Sequence, residues 1–223
     1  MNSPMRALLL PSALLFALSP LAIADTPGLT SFSGGELASS GSDQLYGWIF
    51  TANANLSVTA LGVGDTNGAG GLFVSHDVGI FDETTEDLLG STTIPAGVGP
   101  TLIGGFEYES VVPFILDAGD TYVIVMTMPA FNGDTQSILN TSVTTASQIT
   151  YVTSAFDSGS TLAFPNSGNN GAFADGMFGP NFTFASGAPA TPEPASFALF
   201  GSGLLALGLV VFYRRRAGNQ NAF

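Results

Sequence analysis

Four groups of residues have the types and spacing to do chemistry. Glu107 and Glu109 lie two apart in a strand-like segment. Their carboxyls would share one face about 7 Å apart, which overlaps the spacing of glycosidase acid pairs. The competing expectation is a solvated face, with Phe106 and Tyr108 turned inward. Asp157-Ser158-Gly159 could hold one of two aspartates that share a proton, which requires a second copy. Asp25, Asp65, Asp120 and Asp134 each precede a threonine, but no glycine follows it, so a Gly/Ser turn is expected. Ser75-His76-Asp77 has the residue types of a nucleophilic triad, yet neighbours on a strand point to opposite faces. Asp65 and Asn67 stand two apart in a glycine loop, and Asp77 could return beside them. That set suits calcium, which takes six to eight oxygens, although the bidentate Glu of an EF-hand is missing and an Asx-turn competes for the same residues. His76 is the single histidine, and cysteine is absent, so zinc-thiolate sites and disulfide frameworks are excluded.

The elements that must position these residues read as short strands. Gln44–Phe50, Leu56–Val63, Asp77–Asp82, Leu88–Ile94, Gly105–Ser110, Val111–Leu116, Thr121–Met128, Gln148–Thr153 and Asn181–Ala185 are rich in Val, Ile, Phe, Tyr and Thr. Gly, Asn, Asp and Pro punctuate them. Asp117-Ala118-Gly119-Asp120 reads as a hairpin turn. Tyr122-Val123-Ile124-Val125 scarcely alternates, which predicts a central strand covered on both faces. Residues 156–180 read as loop. No segment of the body has a helical period. The expected fold is all-β: an antiparallel β-sandwich, jelly-roll-like, followed by one C-terminal transmembrane helix.

Both ends read as targeting segments. Arg6 precedes an apolar stretch from Ala7 to Leu18, and Ala22-Ile23-Ala24 supplies a small-x-small cleavage pattern. Residues 1–24 are therefore expected to be a signal peptide, 25–186 the ectodomain and 187–194 a linker. The run from Ala195 to Tyr213 carries no charge and at helical rise spans about 28 Å, close to the hydrocarbon thickness of a bilayer. Arg214, Arg215 and Arg216 then fix a cytoplasmic tail, 214–223, by the positive-inside rule. Glu193 is the only one of the 17 acids outside the body, and all four basic residues lie in the targeting segments. The body thus has 16 acids and neither lysine nor arginine, which argues against nucleic acid as a partner.

Pro192-Glu193-Pro194, the apolar run and the arginines occur in the order of the PEP-CTERM sorting signal, which the tail resembles. Thr191 stands where that signal more often has valine. The resemblance implies a Gram-negative bacterium, export, and recognition by an exosortase, a membrane-embedded transpeptidase-like enzyme, often in cells that make exopolysaccharide. A GPI-type signal at Ser186-Gly187-Ala188 is the rival, but such tails usually end apolar. A second resemblance covers about 80 residues, through Tyr46-Gly47-Trp48-Ile49-Phe50, Val58–Gly62, Ser75–Asp82 and Leu116–Val125. It is to a β-rich domain of unknown function in secreted and PEP-CTERM proteins, and it transfers no catalytic residue. No constellation of nucleophile, base and orienter is present. The expected function is therefore non-enzymatic: a surface or matrix protein at the cell envelope, held at the inner membrane before sorting, with a structural, adhesive or glycan-contacting domain. Tyr46, Trp48 and Tyr108 are candidates to stack on sugars, with Trp48 also a candidate for the core. No cofactor beyond calcium is expected. The alternative is a secreted acidic hydrolase, glycosidase-like through Glu107 and Glu109 or aspartic-protease-like through Asp157.

Overall fold

The structure is a computed structural model that describes residues 25–66, 70–99, 101–166, 177–186 and 202–203. Among the described residues, the body from Asp25 to Ser186 is all-β with antiparallel sheets. Its strands are β1 (Thr26–Pro27), β2 (Leu29–Ala38), β3 (Gln44–Ala52), β4 (Leu56–Gly64), β5 (His76–Asp82), β6 (Leu88–Ile94), β7 (Thr101–Ile103), β8 (Phe106–Leu116), β9 (Thr121–Met128), β10 (Gln136–Thr145), β11 (Ile149–Ser158), β12 (Met177–Phe178) and β13 (Pro180–Ser186). One five-stranded sheet has the order β1-β13-β4-β8-β7 and another β11-β3-β9-β5-β6; a third, of three strands, runs β12-β10-β2.

The non-alternating β9 lies mid-sheet between β3 and β5, where every side chain from Tyr122 to Met128 is buried. One face of its sheet presents Trp48, Phe50, Ile80, Ile124 and Met126 to Leu61, Phe182 and Phe184 of the β4 sheet. Phe182 stacks on Trp48 and Phe50 with ring centroids 5.9 and 5.0 Å apart. The Trp48 indole N–H donates to the Pro180 carbonyl at 2.8 Å, so its one polar atom is satisfied inside the core. The opposite face, with Leu45, Ile49, Phe81, Val123, Val125 and Ala155, is covered by Leu162 and Phe164. Burial on both faces is what removes the polar half of the usual alternation.

Several expectations change. The two strands expected at Gly105–Ser110 and Val111–Leu116 are one strand, β8, irregular opposite Val58 and Ala60. The turn at 117–120 does not close a hairpin, because β8 and β9 belong to different sheets. Gly119, at φ +93°, donates its N–H to Ala52, and Asp120 accepts from Ala52. The turn is thereby bound to the end of β3 and carries the chain across the core. The expected loop at 156–180 contributes the end of β11 and all of β12.

The first and last strands pair with each other: Thr26 lies opposite Phe184, and Ser186 lies opposite Leu56 at the start of β4. Both ends of the body therefore meet at one end of the sheet. Among the described residues no helix is long and apolar enough to cross a membrane. Ser202 and Gly203 are helical; the rest of the expected span 195–213 lies outside the described residues, as do 1–24, the linker from Gly187 and the arginine cluster.

Candidate functional site

The far end of the two large sheets encloses a buried polar group. His76 opens β5 and is wholly buried. Its Nδ1 lies 2.7 Å from the Thr127 carbonyl oxygen and its Nε2 3.1 Å from Asp134 Oδ2. A carbonyl only accepts, so Nδ1 carries a hydrogen, and a second proton lies between Nε2 and the carboxylate. Asp134 also accepts from the amides of Phe73 and Val74 at 2.9–3.1 Å. Burial alone would raise its pKa, but His76 and these amides outweigh it and hold the carboxyl below the ordinary range. Both imidazole nitrogens are thus committed. The group pins the 71–75 segment to the 129–135 segment, and Asp77 is not the partner of His76.

Glu107 is 1% exposed, so the solvated face expected for it is wrong. Glu107 and Glu109 do share a face, opposite Val63 and Leu61, but it is the inner face of the β4 sheet. Phe106 and Tyr108 are buried as well, because Phe32 of β2 packs against Phe106 from the other side, at 5.6 Å between centroids. Burial pushes the Glu107 carboxyl up; the Gly99 N–H, donating at 2.6 Å, opposes this, and Asp65 and Asp134 add to the rise.

Asp157 is the penultimate residue of β11 and accepts from the amides of Ser158 and Asn166, so its carboxylate ties down the segment that covers the β9 sheet. Asp77 accepts from Thr93 Oγ1 at 2.6 Å, on the strand face opposite His76. Asp65 follows β4 and bonds through its N–H to Gly105. Asn67 lies outside the described residues, and among those described no three His, Asp or Glu side chains converge as metal ligands. Tyr46, Trp48 and Tyr108 are all buried, which removes them as sugar-stacking platforms. Among the described residues the exposed aromatics are Phe73 (64%) and Phe131 (82%), at the end remote from Ser186. Phe131 holds φ +52°, an uncommon conformation for a bulky residue. Neither had a signal in the sequence beyond its position between strands.

A hollow of about 270 Å³ opens on the outer face of the β4 sheet. Its polar walls are Asp25, Thr59, Thr101, Tyr108, Ser110 and Thr183. Thr59 Oγ1 lies 3.0 Å from Thr183 Oγ1 and donates to Asp25 Oδ2 at 2.6 Å. Tyr108 is buried, its hydroxyl has no hydrogen-bond partner among the described residues, and burial pushes the phenol well up, keeping it protonated. No family model matches the chain, and none of the curated proteins matches it.

Proposed function

We propose that this chain is an exported protein of a Gram-negative cell envelope. It reaches the inner membrane through its signal peptide and a single C-terminal helix. An exosortase-like enzyme then processes it for release to the cell surface or matrix. The observation that carries this is the succession of features in the C-terminal sequence: Pro192-Glu193-Pro194, an uncharged apolar run of bilayer length, then three arginines. On this reading the body is a jelly-roll-like β-sandwich with a non-catalytic structural or adhesive role toward envelope glycans. Three observations support that role. The two ends of the body meet at one sheet end, which suits suspension from a single tether. His76 and Asp157 are engaged in holding segments of the fold, and Glu107 is buried. Phe73 and Phe131 project at the end away from the tether.

Intact-mass analysis of the protein from its native host tests the sorting. An N-terminus at Asp25 and a C-terminus near Pro194 are expected. A chain ending at Phe223 in the envelope would make this a simple anchored protein and reject the processing step.

A further inference from the structure

We infer that the hollow on the outer face of the β4 sheet is a binding site for one ring of a neutral sugar. The inference deepens the glycan-contacting reading, but it stands on the hollow and not on the tail. The volume is just below the roughly 300–1,000 Å³ of sites for drug-sized ligands, so it suits a single ring better than a chain. Its polar lining is five hydroxyls and one carboxylate. Hydroxyls donate and accept, as the vicinal hydroxyls of a sugar do, and a carboxylate accepts from two neighbouring hydroxyls at once.

The wall is ordered for this. Thr183 and Thr59 form a chain that ends on Asp25 Oδ2, which fixes the carboxylate and, among the described residues, leaves Oδ1 as an acceptor. Thr101 and Ser110 are exposed at their strand positions. Tyr108 is the second, independent sign. Its ring lines the hollow while its hydroxyl is buried without a partner among the described residues, which is costly; a shift of the ring that brought the hydroxyl to a ligand hydroxyl would relieve that cost. Ala60 and Ile103 supply apolar wall for the ring carbons.

Charge selects among sugars. In the full chain, where residue 25 is not a terminus, the body has no lysine or arginine and the hollow holds a carboxylate, so uronates and sulfated sugars are repelled. A hard divalent cation is poorly served, since one carboxylate and neutral hydroxyls fall short of its usual ligand set.

The test uses the full chain in nanodiscs, because glycosidic detergents would compete. Methyl glycosides of glucose, galactose, mannose and N-acetylglucosamine are titrated beside glucuronate and Ca²⁺, with binding read by calorimetry and saturation-transfer NMR. At least one neutral glycoside should bind, and Asp25→Asn and Tyr108→Phe should each weaken it about tenfold. Tyr108→Phe should leave the melting temperature unchanged or raised, because it removes an unsatisfied group. Absence of binding by every neutral glycoside would overturn the inference. So would a preference for glucuronate or Ca²⁺, or binding indifferent to both substitutions. None of these outcomes bears on terminal processing, which the mass measurement reads separately.

Discussion

Asp134 and Glu107 are both buried carboxyls, and the fold shifts them in opposite directions. Asp134 is depressed, so its contribution is complete above the unfolded carboxyl value of about 3.9 and is lost as pH falls through the folded value. Glu107 is raised, so its ionised form opposes folding at neutral pH, and that penalty fades as pH falls through its folded value. Asp134→Asn should therefore destabilise by about 3 kcal/mol near neutrality, with the gap to wild type closing in acid. Glu107→Gln keeps an acceptor for the Gly99 N–H and should stabilise by about 1 kcal/mol near neutrality, converging on wild type in acid. Thermal melts of the three proteins across the acid range check both signs. The sequence showed that Glu107 and Glu109 share a face but not which face. Strict alternation places the aromatics inward, and only the covering strand β2 allows both faces to be buried. The His76–Asp134 pair spans 58 positions, and no local spacing announces it.

At the scale of elements, β3, β4, β5, β6 and β9 were legible to within two residues at each end; in β3, β4, β5 and β9 burial demands dense apolar runs, whereas β6 buries only Ile94 and was legible from its Thr-Thr-Ile end and its flanking turns. β2 and β10 were missed. β2 is largely exposed and rich in Ser and Gly, and half of β10 is Ser or Thr. β2 and β10 pair with each other through irregular registers, where alternation carries little signal. Gly47 shows what close strand packing demands. A Cβ there would lie 2.0 Å from the Ile124 carbonyl oxygen of β9, a backbone atom that cannot rotate away. Gly47→Ala should force β3 and β9 apart and cost about 3 kcal/mol or more, seen as a lower midpoint in urea or as loss of soluble protein. Trp48, one residue on, is the largest fully buried side chain, so a shift of β3 would also disturb its stack on Phe182.

The whole body joins sixteen acids with no lysine or arginine, so its charges repel without internal Lys or Arg pairs to offset them. Its melting temperature should rise as NaCl is added, because screening shortens the reach of that repulsion to about 8 Å near 0.15 M. At matched ionic strength, equal melting temperatures in EDTA and in Ca²⁺ would remove the calcium expected at Asp65, Asn67 and Asp77. The antiparallel all-β class was legible because strand composition and turn residues agreed along the chain. The crossing at 117–120 was not, since a turn does not name the sheet it leads to. The position of Ser186 opposite Leu56 has a mechanical consequence. β4 is nine residues long, about 30 Å, and its other end lies beside the segments carrying Phe73 and Phe131. When the tail is held and those segments are pulled, the load runs along β13. The rungs joining β13 to β4 are then strained together in shear, not peeled one at a time, so β13 would act as a tension member between whatever holds the tail and whatever grips the far end.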